Sequence, residues 1–250
     1  MRRYGNASSV TLGLTLCGLM APVLVAQDTP VNTRSLTSLY NVRYGDIPEY
    51  TAFYEANTRP ILEDLVADGT INDFGIRMHH TGGEYTIRQR ISGTDDTNFE
   101  AAALIINTRL MESNPSGLER QNRMILAHSD EIWTVGHLNV PTNTDNVQYV
   151  YEAQFQVNRA DLPRWSQIWE DEMYPVLERA IADDLLEGFV VLNHNTGGRF
   201  NWKILWLSET WDSMDDFEAA FFAAAPMDHP MWSMYTSHRD ELWQAVPPTN

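Results

Sequence analysis

The chain has 250 residues, of which 43% are hydrophobic and 11% aromatic, and its formal net charge at pH 7 is −17. This composition indicates a folded protein with a sizeable core and excludes an intrinsically disordered chain. Because an acidic surface repels phosphate backbones and anionic lipid headgroups, the charge also disfavours nucleic acid and membrane surfaces as partners.

The N-terminus has the pattern of a secretory signal peptide. Arg2 and Arg3 precede an apolar stretch that ends at Ala26 and is shorter than the roughly 20 apolar residues of a membrane span. We therefore predict a signal peptide over residues 1–26, export to the periplasm or the medium, and a mature chain without a membrane anchor. Cleavage would also remove Cys17, the only cysteine, and leave a net charge of −19.

The rest of the chain contains one pattern twice. A Thr-Gly-Gly sequence at residues 81–83 recurs at residues 196–198, an offset of 115 residues, and the same offset aligns Pro60 with Pro175. A Phe-Glu-Ala-Ala sequence and a His-x-Asp-Glu-x-Trp sequence recur later in each copy. So many landmarks in one order indicate an internal duplication.

Each copy shows the same order of predicted elements. An alternating strand precedes a long helix with apolar residues at helical spacing, and two strands joined by the Thr-Gly-Gly turn, a second helix and a last strand follow. A proline inside each first helix, Pro60 or Pro175, predicts a kink. The order β-α-β-β-α-β is that of a ferredoxin-like unit. We therefore predict an α+β fold with two fused ferredoxin-like halves, residues 27–141 and 142–250.

The pattern of strand, aromatic-rich helix, strand, Thr-Gly-Gly turn, strand and Phe-Glu-Ala-Ala helix resembles the dimeric α+β barrel superfamily, in the manner of NIPSNAP-like and EthD-like domains. The resemblance implies that the antiparallel sheets of the two halves close into one barrel with helices outside, as in chlorite dismutase-like proteins. It implies a small-molecule partner and is compatible with a homo-oligomer. Activities in the superfamily include cofactor-independent oxygenation, isomerisation and haem chemistry, so the resemblance leaves open whether this chain is an enzyme.

Strand alternation in the first half places basic side chains on the face opposite the helices. If the apolar strand positions contact the helices, the alternate positions point into the barrel. Four arginines occupy such positions: Arg43, Arg77, Arg88 and Arg90. Their counterparts in the second half are Asn158, Leu192, Lys203 and Leu205. Because a guanidinium group binds a carboxylate through two hydrogen bonds, we predict one off-centre site for an anion. Pairing of the arginines with carboxylates of the protein is the alternative.

Histidines form a second candidate group. His79 corresponds to His194, and His128 corresponds to His238. In a closed barrel the second strand of one half neighbours the last strand of the other, which would bring His79 toward His238 and His194 toward His128. Such groups can act as general bases, bind a metal or ligate a haem. No HxH or HExxH spacing accompanies them, and hydrogen bonds to the backbone at strand ends are the simpler role, so we predict no metal site.

Three hypotheses follow for the function. In the first, the protein is an exported barrel that binds a small organic anion without a cofactor and, if it is an enzyme, also converts it. The four arginines would orient the anion. His79 would be the first candidate for the acid/base group and His80 the second. In the second, the chain is a haem enzyme of the chlorite dismutase-like type, with His79 or His194 as axial ligand. In the third, the chain is a non-catalytic interaction protein whose barrel is a closed core.

Overall fold

The computed structural model describes residues 33–141, 143–144 and 146–247, and the predicted signal peptide lies outside this part of the chain. The strands are β1 (Arg34–Val42), β2 (Asp73–Thr81), β3 (Ile87–Gly93), β4 (Ile125–Asn139), β5 (Tyr149–Val157), β6 (Gly188–Thr196), β7 (Trp202–Ser208) and β8 (Tyr235–Ala245). The α-helices are α1 (Ile47–Phe53), α2 (Arg59–Ala67), α3 (Asp96–Ser113), α4 (Pro115–Met124), α5 (Leu162–Ile168), α6 (Tyr174–Ala182) and α7 (Trp211–Ala224). Within these residues no helix combines the length and the apolarity needed to cross a bilayer.

The eight strands form one closed antiparallel barrel. Their order is β1-β3-β2-β8-β5-β7-β6-β4, and β4 pairs back with β1. Each half contributes four neighbouring strands, in the order β4-β1-β3-β2 or β8-β5-β7-β6. The halves join twice, where β2 pairs with β8 and where β4 pairs with β6. The predicted α+β fold, with two ferredoxin-like sheets closed into a barrel and the helices outside, is confirmed.

Alternation along the strands creates three separate apolar clusters. The outward-facing side chains of the first half pack beneath α1 to α4, and those of the second half pack beneath α5 to α7. Four tryptophans fill much of the second of these clusters: Trp165, Trp169, Trp202 and Trp206. The third cluster occupies the barrel interior and includes Leu39, Trp133, Val150, Leu192, Leu205 and Trp243. Since burying a large apolar side chain contributes about 1.5–3 kcal/mol, the tryptophans are explained by packing.

The first helix of each half is interrupted by a π-helical turn. Residues Tyr54–Thr58 form this turn between α1 and α2, and Trp169–Met173 form it between α5 and α6. A proline, Pro60 or Pro175, is the second residue of the helix that follows. Because proline lacks an N–H donor and its ring crowds the preceding turn, the wider turn accommodates it without ending the helix. The kinks expected from these prolines therefore take the form of π turns, and the first of them carries Glu55 to the mouth of the barrel.

The two Thr-Gly-Gly sequences form the turns between β2 and β3 and between β6 and β7. All four glycines have positive φ angles: Gly82 (+83°), Gly83 (+67°), Gly197 (+84°) and Gly198 (+65°). Glycine adopts this left-handed conformation without strain. A Cβ atom on Gly82 or Gly197 would also overlap a carbonyl oxygen of the last strand of the other half, that of Asp240 or Asp130. The turns thus need glycine for their conformation and for their contact across the junction of the halves.

Candidate functional site

A cavity of about 420 Å³ lies at one end of the barrel interior. Its walls come from the first residues of β1, β2, β5 and β6 and from the last residues of β3, β4, β7 and β8. This volume is within the range of pockets that enclose small organic ligands, about 300–1,000 Å³. The cavity is therefore the candidate ligand site.

The cavity has one basic wall and one aliphatic wall. The basic wall is formed by β2 and β3, with Arg77, Arg88, Arg90 and Ser92, and by Ser35 of the adjacent β1. In the strand order, β7 lies directly across the barrel from β3. The facing wall is aliphatic and consists of Val135, Val150, Val190, Leu192, Leu205 and Leu207. The interior thus offers positive charge on one side and an apolar surface on the other.

Arg88 belongs to a buried ionic network in the middle of the barrel. Its side chain is 4% exposed, and its Nε atom lies 3.1 Å from Glu152 Oε2, without the alignment of a hydrogen bond. Glu152 is also contacted by Lys203, whose Nζ atom lies 2.7 Å from Oε1 and 3.0 Å from Glu131 Oε2. Burial lowers the pKa of Arg88. The Nη2 atom of Arg88 is buried and has no hydrogen-bond partner among the described residues, although Arg88 is one of the residues that line the cavity.

The other two arginines of the basic wall differ in their partners. Arg90 forms an ion pair with Asp73. Arg77 is half-buried and donates from Nη1 to the carbonyl oxygen of Val147 at 2.7 Å. Within the described part of the chain no carboxylate lies at ion-pair distance from Arg77. Burial, together with the positive charges of Arg88 and Arg90, lowers the pKa of Arg77 to about 10. Arg77 therefore carries the uncompensated charge of this cavity.

Arg59 and Glu55 form an ion pair at the cavity mouth. Arg59 Nη2 donates to Glu55 Oε1 at 2.8 Å, and its Nε atom contacts the other carboxylate oxygen. The guanidinium group also lies over the ring of Phe74, with its Cζ atom 5.6 Å from the ring centroid. This pair is complete without a ligand, so it borders the site rather than forming its anion contact.

The structure places Arg43 outside the barrel, contrary to the expectation from alternation. Strand β1 ends at Val42, and the chain then enters a 3-10 turn over Tyr44–Asp46. The Arg43 side chain is exposed, and its Nη1 atom lies 3.5 Å from Asp46 Oδ2. Alternation therefore ends one residue before Arg43, and three of the four predicted arginines line the cavity.

Neither candidate acid/base histidine lines the cavity. His79 has its Nδ1 atom 3.1 Å from the Tyr44 hydroxyl and its Nε2 atom against the carbonyl oxygen of Gly82, and its ring packs edge-on to Trp243. His80 is exposed and contacts the rings of Tyr149 and Trp211.

The predicted histidine pairs do not form. The strands pair as expected, but the register places His79 opposite Trp243 and His194 opposite Trp133. His238 and His128 lie five residues further along their strands, about 16 Å away, and the Nε2 atom of each lies 2.8 Å from a carboxylate oxygen of a nearby aspartate, Asp240 or Asp130. The described residues contain no group of three His, Cys, Asp or Glu side chains arranged to hold a metal ion.

The residues of the cavity do not fit a haem group. Haem iron is held by a histidine, cysteine, methionine or tyrosine side chain. None of the described side chains that line the cavity is of these types. Of the two proposed axial ligands, His79 has partners on both ring nitrogens, and His194 packs edge-on to Trp133 with its Nε2 atom against the carbonyl oxygen of Gly197.

The carboxylates of the barrel interior were missed by the sequence analysis. Glu152 and Glu241 are buried, at 0% and 1% exposure, and Glu131 lies at 4%. The alternation of side chains along each strand could have predicted them, because Glu152 lies on the same face of β5 as Val150 and Gln154. The buried arginines were predicted without the carboxylates that neutralise most of them.

Comparison with known proteins gives structural matches. No protein family and no curated protein matches the sequence. A presumed monooxygenase from Lactobacillus acidophilus NCFM has a TM-score of 0.57 at 10% identity, over 85% of this chain and 93% of that chain. A second presumed monooxygenase, from Fusobacterium nucleatum, has a TM-score of 0.56 at 9% identity, over 86% and 93%. A mutant chlorite dismutase from Candidatus Nitrospira defluvii has a TM-score of 0.57 at 7% identity, over 86% and 93%. At these identities the similarity shows the fold, and this chain shares the α+β barrel of these proteins.

Proposed function

We propose that this protein binds a small organic anion in the barrel cavity, with Arg77 as its principal contact. The observation that carries the proposal is the charge of Arg77, which no carboxylate neutralises among the described residues and which lies in a cavity of ligand size. A partly buried charge without a partner costs free energy, and the carboxylate of a ligand would remove that cost.

Neighbouring groups support the same ligand class. Arg88 and Ser35 line the cavity, and the Nη2 atom of Arg88 and the hydroxyl of Ser35 are buried without a hydrogen-bond partner among the described residues. The two carboxylates that line the cavity, Glu55 and Asp73, are paired with Arg59 and Arg90, so among the described residues they leave the Arg77 guanidinium group to a ligand. Planar guanidinium groups bind carboxylates through paired, charge-assisted hydrogen bonds.

The same observations favour binding over the two other hypotheses. An interaction protein with a closed core would have a filled barrel and arginines paired with carboxylates, whereas this barrel has a cavity, and Arg77 has no carboxylate partner among the described residues. The haem hypothesis lacks an axial ligand among the described residues that line the cavity. Since His79 and His80 do not contact the cavity, the proposal assigns them no catalytic step.

The origin and location of the protein are part of the proposal. We propose a tandem duplication, because corresponding π turns and corresponding Thr-Gly-Gly turns occur in the two halves. We also propose export after cleavage at Ala26, which the N-terminal sequence pattern supports. N-terminal sequencing of protein recovered from the periplasmic fraction and from the medium tests the second point. An intact N-terminus in the cytoplasmic fraction would contradict it.

Fluorescence titration with 1-anilinonaphthalene-8-sulfonate, an apolar organic anion, tests the binding site. We expect Arg77→Leu to weaken binding about tenfold or more, because a charge-assisted hydrogen bond contributes about 1.5–3 kcal/mol. Arg43→Leu, which removes an exposed arginine outside the cavity, is the matched control. N-phenyl-1-naphthylamine lacks the sulfonate and should not distinguish wild type from Arg77→Leu. Equal affinity of the sulfonate for wild type and for a folded Arg77→Leu variant would overturn the proposal.

A further inference from the structure

We infer that the ligand is an amphipathic monoanion, a carboxylate attached to an aliphatic or aromatic body without other charged groups. This inference rests on the proposed function and adds the chemical class of the ligand. Three features of the cavity lead to it, namely its charge balance, its aliphatic wall and the free space beside Arg77.

The charge balance of the cavity specifies one negative charge on the ligand. Among the described residues, the cations that line the cavity other than Arg77 have carboxylate partners: Arg59 with Glu55, Arg90 with Asp73, and Arg88 with Glu152. Arg77 is left with a hydrogen bond to a backbone carbonyl. A monoanion neutralises it, whereas a dianion would leave one charge buried without a partner.

The aliphatic wall specifies an apolar body. Two positions that carry arginine in the first half carry leucine in the second, since Arg77 corresponds to Leu192 and Arg90 corresponds to Leu205. These leucines and four further aliphatic side chains face the arginines across the cavity. Each methylene group buried against such a wall contributes about 0.8 kcal/mol. A sugar acid would instead place unpaired hydroxyl groups there, at a cost.

Gly75 provides the space for this body next to the anion contact. It lies on β2 two residues before Arg77, lines the cavity, and has no heavy atom within 4 Å of the position that a Cβ would take. The corresponding residue of the second half is Val190, whose side chain belongs to the aliphatic wall. A glycine inside a strand frequently marks a place where a ligand approaches the backbone closely. A larger side chain at this position would start from a Cβ atom without close contacts and would fill part of the cavity.

Competition against 1-anilinonaphthalene-8-sulfonate tests the inference on the mature protein. The competitors are decanoate, the dianion sebacate of the same chain length, inorganic phosphate and uncharged decanol. We expect decanoate to displace half of the probe at a concentration about tenfold or more below that needed for each of the other three competitors. We also expect Gly75→Val to weaken decanoate about tenfold while the melting temperature stays within a few degrees of that of wild type. Gly45→Val, at an exposed turn with free space, is the control and should bind as wild type does.

The possible outcomes separate this inference from the proposed function. If phosphate or sebacate competes as well as decanoate, and Arg77→Leu abolishes their binding, the anion site stands and the amphipathic class is wrong. If decanol competes as well as decanoate and Arg77→Leu changes nothing, the anion site itself is wrong. If decanoate is preferred but Gly75→Val binds it as tightly as wild type, the ligand does not occupy this cavity, and the inference is overturned.

Discussion

Lys203 and Glu152 form a fully buried ion pair in the middle of the barrel, with Lys203 Nζ 2.7 Å from Glu152 Oε1. Lys203 also donates to Glu131 at 3.0 Å and lies 4.3 Å from the centre of the Trp133 ring. Burial alone would raise the pKa of Glu152, but the charges of Lys203 and Arg88 outweigh it and hold that pKa below its ordinary value. The network therefore depends on both cations.

Removal of Lys203 should destabilise the barrel strongly. Lys203→Met leaves Glu152 and Glu131 with less compensating charge in a buried site, so we expect the free energy of unfolding to fall by about 3–5 kcal/mol. Urea unfolding followed by tryptophan fluorescence measures the change. The double variant Lys203→Met with Glu131→Gln should recover part of the loss, because one of the two carboxylates is then neutral. A loss below about 1 kcal/mol, as for an exposed ion pair, would contradict the burial of Lys203.

Lys203 should also report on global unfolding, because it is the only lysine of the chain. Its side chain is 0% exposed, so we expect acetic anhydride to leave it unmodified in the native protein and to acetylate it in urea. Mass spectrometry of the peptide that contains Lys203 distinguishes the two states. Rapid acetylation under native conditions would show that the interior opens without unfolding of the barrel.

Glu241 should make stability fall as the pH rises toward neutrality. Glu241 is 1% exposed, and its Oε1 atom lies 3.1 Å from Arg239 Nε. Burial, together with the negative charge of Glu152, raises the pKa of Glu241 to about 7. Between the ordinary pKa of 4.5 and about 7, the folded state keeps a proton that the unfolded chain has released. The contribution of Glu241 to the free energy of unfolding is therefore fully present below pH 4.5, and it is lost as the pH rises to about 7.

The matching variant is Glu241→Gln, which cannot ionise. We expect it to be more stable than wild type at pH 8 by on the order of 2 kcal/mol, and to differ little from wild type at pH 5. Free energies of unfolding of both proteins at the two pH values measure this difference. Equal pH dependence of the two proteins would show that Glu241 does not titrate in this range.

Substitution of the turn glycines should be costly in both halves. Gly82→Ala and Gly197→Ala each combine a positive φ angle with an overlap between the new Cβ and a carbonyl oxygen of the last strand. We expect each to lower the free energy of unfolding by about 2 kcal/mol or more. Gly45→Ala, where a Cβ has free space and φ is not positive, should stay within about 0.5 kcal/mol. Thermal unfolding compares the three variants, and a neutral Gly82→Ala would contradict the close contact with Asp240.

Local patterns in the sequence determined the order of elements, the turns and the faces of the strands. Periodicity and glycine content act over a few residues, so the strand phase alone brought Arg77, Arg88 and Arg90 to the interior. The strand phase went wrong at Arg43, because the point where β1 stops pairing depends on its neighbours and not on its own alternation.

Tertiary structure decided the register between the halves and the partner of each buried charge. The pairing of β2 with β8 was predictable from the sequence. Only the closed barrel sets the register, which places His79 opposite Trp243, five residues along β8 from His238. Likewise, the closed barrel brings Arg88 to Glu152, 64 positions further along the chain, and leaves Arg77 without a carboxylate among the described residues. Such contacts join residues that are distant in sequence, and their geometry follows from the stagger of the strands at closure, which no local pattern encodes.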